Sequence, residues 1–186
     1  MSAPSHHPHP FFTPSSFSDL KQLLQRIETK KPVEDFLYTD EQAYLSHVFK
    51  LFDEPNKDEW QVGYYSPADG FLHVFIYDEA LDTIIKNPGD EAFKEPDAIL
   101  LPLLKESLVL SLDQAKAIAY QKLEQDYHES IKTALVVVQH LQELGVIYNF
   151  TFITSSYKTI NIKIDAQTGA IASAARYSIF DLGKSE

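Results

Sequence analysis

The stretch "YNFTFITSSYKTINIKIDAQTGAI", residues 148–171, most narrows what this chain can fold into. Tyr148, Phe150 and Phe152 alternate with polar neighbours, Ser155-Ser156 interrupt the pattern, and Ile160, Ile162 and Ile164 resume it. Period-two alternation of aromatic and β-branched residues marks strands with one buried face. After Ile164, the run Asp165-Ala-Gln-Thr-Gly169 reads as a tight turn between strands. Asp165 can accept hydrogen bonds from its own downstream backbone, and Gly169 supplies the left-handed residue that a bulged return needs. A calcium loop would need several oxygen side chains at alternate positions, and this run holds one acid, so Asp165, Thr168 and Gly169 are assigned to a structural turn.

Other segments give the rest of the pattern. "SLDQAKAIAYQKLEQDY" (111–127) opens with Ser111 and Gln114 at capping-box spacing and predicts a helix. "SIKTALVVVQHL" (130–141) fits a strand through Val136, Val137 and Val138, or a helix capped by Gly145; the strand is preferred. Earlier, "SFSDLKQLLQRIE" predicts a short amphipathic helix starting near Ser16 and ending at Lys30, Lys31 and Pro32. "TDEQAYLSHVFKLF" (39–52) repeats the capping spacing at Thr39 and Gln42, with Ala43 matching Ala115, and predicts a second helix. "WQVGYYSPADGFLHVFIYD" (60–78) reads as a hairpin turning at Pro67 and Gly70. Residues 79–110 are expected to begin with helical turns at "DEALDTIIKN" and then form a proline-marked linker whose apolar "AILLPLL" packs on the core.

A helix followed by a hairpin, read twice along the chain, predicts an α+β fold. Helices pack on an antiparallel β-sheet, with an internally duplicated helix-hairpin unit. Residues 1–15 form a tail, 16–98 an N-terminal half and 99–186 a second half, together one compact unit. In the second half the order of "SLDQAKAIA" helix, "YNFTFI" strand and "IKIDAQTGAI" strand-turn resembles the PepSY and PepSY-like group, clearest over 108–180. That resemblance implies a cystatin-like sheet covered by a helix, found in protease propeptides and stand-alone bacterial proteins, with a binding or peptidase-inhibiting role. Its recurring Asp-x-x-Thr-Gly matches Asp165 to Gly169 and is a turn.

Composition removes several function classes. Twelve Phe and ten Tyr in 186 residues, with 44% hydrophobic content, describe a globular body. A net charge of −11 argues against nucleic acid or an anionic membrane as partner and favours a protein or peptide of basic character. The chain has no cysteine, so neither thiolate chemistry nor a Cys-based zinc site is available. No Gly-x-Ser-x-Gly elbow or phosphate-cradling glycine loop occurs, and no histidine pair has zinc-helix spacing. His6, His7 and His9 lie on the proline-rich tail without neighbours to orient them. No cofactor and no metal is expected. The start carries no basic leader followed by an apolar run, so the expected location is cytoplasmic as given, or exported if a leader precedes it.

The aromatic strands supply the remaining candidates. In "GFLHVFIYD" both alternating rows are apolar, which suits a strand covered on both faces or lying at an interface. Trp60, Tyr64, Phe71, His73, Phe75, Tyr148 and Phe150 are therefore the expected binding residues, acting through a sheet face or edge. The leading expectation is a non-enzymatic binding module. Alternatives are an acidic secretion or assembly chaperone, and an enzyme with His73 beside a carboxylate in a cavity between helix and sheet.

Overall fold

The computed structural model describes residues 19–93 and 99–178; the tail 1–15, its histidines and Ser16 lie outside them. Helix α1 (Leu20–Glu28) is capped by Asp19, whose carboxylate accepts the Lys21 N–H at 2.9 Å. Leu20, Leu23, Leu24 and Ile27 fall on one face of it and are all buried. Lys30-Lys31-Pro32 ends α1 as expected and also begins α2 (Lys31–Thr39), where Pro32 occupies the first turn and its missing N–H costs nothing.

The expected helix over 39–52 does not form. Thr39 closes α2, its hydroxyl donating to the Asp35 carbonyl, and after a short turn the chain becomes strand β1 (Tyr44–Phe52). The capping spacing was real but outweighed. Residues 44–52 carry apolar side chains on both alternating rows, and β1 sits mid-sheet with hydrogen-bonded strands on either side. A second correction follows at "DEALDTIIKN", which makes a turn and then an edge strand rather than a helix.

Strands β2 (Glu59–Tyr65), β3 (Phe71–Asp78) and β4 (Thr83–Phe93) complete a meander with β1. A linker with a short 3-10 turn leads to α3 (Leu112–Asp126), where Ser111 and Gln114 make both capping-box hydrogen bonds at 3.2 and 2.8 Å. A second meander follows: β5 (Ile131–Leu141), β6 (Gly145–Thr154), β7 (Lys158–Asp165) and β8 (Ile171–Ser178). Valine branching thus resolves residues 130–141 in favour of the strand.

All pairings are antiparallel, in one eight-stranded sheet of order β4-β3-β2-β1-β5-β6-β7-β8. The halves join where β1 pairs β5, with Val48 opposite Val138. The register lines up Phe75, Val62, Val48, Val138, Tyr148 and Ile164 in one row across six strands, and each is buried. This row faces the helices, so one core serves both halves. The linker is held to it: the Leu103 N–H donates to the Leu45 carbonyl at 2.8 Å, and Leu103 is buried while Ile99 and Leu104 remain exposed.

The helix-hairpin unit expected over Thr39–Asp78 is therefore absent in that form. Two helices precede the first four-stranded meander and one precedes the second, an order that does not by itself show a duplication; the last turns of the two meanders are alike. Asp78 accepts the Leu81 N–H at 2.8 Å and Asp165 accepts the Thr168 N–H at 2.7 Å; four residues along, Asp82 and Gly169 both have positive φ, 53° and 76°.

Candidate binding edge

The aromatic residues read as binding candidates lie inside. Trp60, Tyr64, Phe75, Tyr148 and Phe150 are fully buried, His73 is 5% exposed and Phe71 is half-buried. Their positions follow from strand parity, because the row that contains them is the row that α1, α2 and α3 cover. The polar tips of Trp60, Tyr64 and Tyr148 are satisfied internally. The Trp60 indole N–H donates to Glu79 at 2.8 Å, the Tyr64 hydroxyl to Glu28 at 3.2 Å, and the Tyr148 hydroxyl to the Leu110 carbonyl at 2.6 Å. Burial pushes the Tyr64 and Tyr148 phenols well above the usual tyrosine range. Phe150 stacks between Phe52 and Phe152, with centroids 6.4 and 6.2 Å away. In this arrangement the buried side chains hold helices on the sheet, while Phe71 keeps part of its surface exposed.

Two buried cations share that interior. Lys50 is 4% exposed and donates to the carbonyls of Lys57 and Glu59 at 2.7 and 3.3 Å, with its ammonium 4.4 Å from the Trp60 ring centre. Burial lowers its pKa to about 8 against the opposing pull of Glu79 and Asp58. Lys116 reaches from α3 over the Phe52 ring at 5.0 Å. Both are explained by carbonyl and ring contacts within the core.

His73 does stand beside a carboxylate, its Nε2 lying 2.8 Å from Asp69 Oδ2, while its Nδ1 is buried without a hydrogen-bond partner among the described residues. Phe36 covers the ring at a centroid distance of 4.7 Å. A cavity of about 450 Å³ lies away from His73, between Leu37, the start of β1 and the linker, and is also lined by Glu28, Tyr64 and Lys105. The Lys105 ammonium sits 2.6 Å from both Glu28 oxygens, so its charge is neutralised in place. Among the described residues, no group of three or more histidine or acidic side chains could hold a metal ion.

The sheet's two edges differ. β4 is interrupted: Lys86 pairs Phe75 and Glu91 pairs His73, so Asn87-Pro88-Gly89-Asp90 bulge out of register. Proline, a bulge and flanking charges are the devices by which natural sheets block their edges. β8 has one extra residue at its start, Ala172, and from Ser173 to Ser178 it pairs β7 in unbroken register. It contains neither proline nor an acid. Small side chains flank its middle, with Ser173 and Ala175 on the uncovered face of the sheet and Ala174 on the helix face. Tyr177 projects half-exposed from the uncovered face.

Side chains around β8 are mostly cationic. Lys163 pairs opposite Ser173 and Arg176 opposite Ile160, which sets one cation beside the strand on each face. Lys158 holds Glu129 at 2.7 Å, with Arg176 at 3.9 Å from the same carboxylate. The Lys158 ammonium, the Ser156 hydroxyl and Arg176 hold Glu129 below the usual carboxylate range. At the far end Asp165 is held low by the Thr168 and Gln167 N–H groups and the Thr168 hydroxyl, all three of which it accepts in the turn.

Residues 109–174 match the PepSY family. The match, described as Peptidase propeptide and YPEB domain, spans α3 and β5 to β7 and reaches into β8. It agrees with the resemblance read from "SLDQAKAIA" and "DAQTG", and the matched residues contribute three strands and the start of a fourth to the eight-stranded sheet. A crystal structure from Clostridium difficile 630, titled a "putative lipoprotein", aligns at 13% identity over 78% of this chain and 90% of that one, with a TM-score of 0.48. At that level the likeness carries no weight for function. No curated protein matches the chain. No helix among the described residues is long and apolar enough to cross a membrane.

The strand after the Asp165–Gly169 turn was expected, but its place at the sheet edge was not legible, because the small residues of Ile171–Ser178 give no strong periodicity. The absence of proline and acid over eight residues was the available signal.

Proposed function

We propose that this chain is a non-catalytic binding module that takes an extended segment of another protein along β8, adding a ninth strand to the sheet. The observation that carries this reading is the contrast between edges, with β4 broken by Asn87 to Asp90 and β8 left regular from Ser173 to Ser178. An unblocked edge offers outward N–H and C=O groups at every second residue. A strand laid against them gains main-chain hydrogen bonds while alternate side chains supply specificity. The description of the PepSY family as a peptidase propeptide makes a peptidase the first class of partner to test. Its regulation would come from occupancy of an extended loop, with no chemistry required of this chain.

Selecting a random-peptide library against the full chain, then mapping amide hydrogen exchange with the selected peptides bound, tests the reading. New protection should concentrate in Ser173–Ser178. Protection confined to the uncovered sheet face or to the Glu28-Tyr64-Lys105 cavity would refute it.

A further inference from the structure

The chain's net charge of −11 favours a basic partner at long range, but the β8 edge carries the opposite local sign. Between Lys158 and Ser178 the sequence holds Lys158, Lys163 and Arg176 against Asp165 alone. Asp165 lies in the turn at the other end, with its carboxylate engaged by Gln167 and Thr168. Glu129 offsets one of the cations by its contacts with Lys158 and Arg176. The remaining positive charge is distributed on both faces of the edge, Arg176 towards the helices and Lys163 on the uncovered side.

Screening decides between the two signs. At physiological ionic strength charges act over about 8 Å, so a docked strand, about 4.8 Å from β8, feels the nearby cations and little of the acidic remainder. Lys163 belongs to β7, one strand further in, where its ammonium donates to Asn161 Oδ1 at 3.0 Å; Ser173 and Ala175 on β8 are too small to wall that charge off from a docked strand. Arg176 lies on β8 itself and is 49% exposed in its side chain.

We infer that β8 selects an extended acidic segment, with carboxylates on both faces of the incoming strand, one meeting Arg176 and the other Lys163. This rests on strand addition at β8 and adds the chemistry of its partner. A second copy of this chain is disfavoured as occupant because two β8 edges would bring like charges together.

The test uses acetylated, amidated heptapeptides of alternating Thr and Val carrying two Glu, two Lys or no charged residue. Binding to the full chain is followed by fluorescence anisotropy and β8 amide exchange. The Glu peptide should bind about three- to tenfold more tightly than the neutral one, as expected for two exposed ion pairs, and the advantage should shrink in high salt. Arg176→Glu with Lys163→Glu should reverse the order of Glu and Lys peptides, while Arg176→Lys with Lys163→Arg should preserve it; far-UV circular dichroism checks that the variants fold. Equal binding of all three peptides with β8 protection would overturn the acidic preference and leave strand addition standing. Failure of every peptide to protect β8 would overturn both, as would peptide-independent protection accompanied by a dimer mass in light scattering.

Discussion

His47 occupies the space that Gly63 leaves open. A Cβ on Gly63 would lie 2.2 Å from His47 Cε1 and 2.6 Å from its Nδ1, so Gly63→Ala has to expel the imidazole from its place against the sheet. The expected loss is about 1–3 kcal/mol in urea unfolding, most of it recovered in a His47→Ala background because the two sites share one volume. Burial lowers the His47 pKa to about 4. The folded chain then binds fewer protons than the unfolded one between pH 4 and 6.5, so this contribution to stability is complete above about 6.5 and is lost as pH falls through about 4. Unfolding curves across that window should be flatter for His47→Ala than for the parent. Trp60→Ala, which opens a cavity and strands Glu79, should cost about 3–5 kcal/mol of stability without a specific effect on β8 binding. Strand alternation made these aromatics legible as sheet residues. It could not say which row the helices would cover, because in Phe71–Asp78 both rows are apolar.

Among elements, the β7–β8 turn was the most legible, since its hydrogen bonds are local. Asp165→Ala removes acceptors for two N–H groups and one hydroxyl, and should destabilise by about 1–3 kcal/mol in thermal or chemical unfolding. Its carboxyl is held below the ordinary range by the Thr168 N–H, so that stabilisation is present above the unfolded carboxyl pKa and declines as pH falls through the folded value. Gly169→Ala should also destabilise, because φ is +76° and the added Cβ would come within 3.1 Å of Ile118 and Leu110. By contrast β1 was misread. Its capping-box spacing is a local signal, whereas the strand is fixed by partners on both sides, one of them β5, more than eighty residues away in sequence.

For the whole molecule, the α+β class and the antiparallel sheet were legible from periodicity, but the join between halves was not, because pairing Val48 with Val138 leaves no trace in either local pattern. That join predicts one unfolding transition for the described residues. Val48→Ala and Val138→Ala should each cost about 2 kcal/mol, with a coupling of at least about 0.5 kcal/mol in a double-mutant cycle; two separate transitions, or strict additivity, would count against a shared core. Among the described residues the sheet has two edges, one blocked by Asn87 to Asp90 and one regular, and the binding reading depends on that difference. Isotope-filtered NMR of the full chain with the two-Glu peptide bound examines it most directly. Cross-strand Hα contacts between the peptide and Ser173–Ser178 are predicted. Contacts instead to Phe49, Leu51 and Leu135 on the uncovered face, with none along β8, would contradict it.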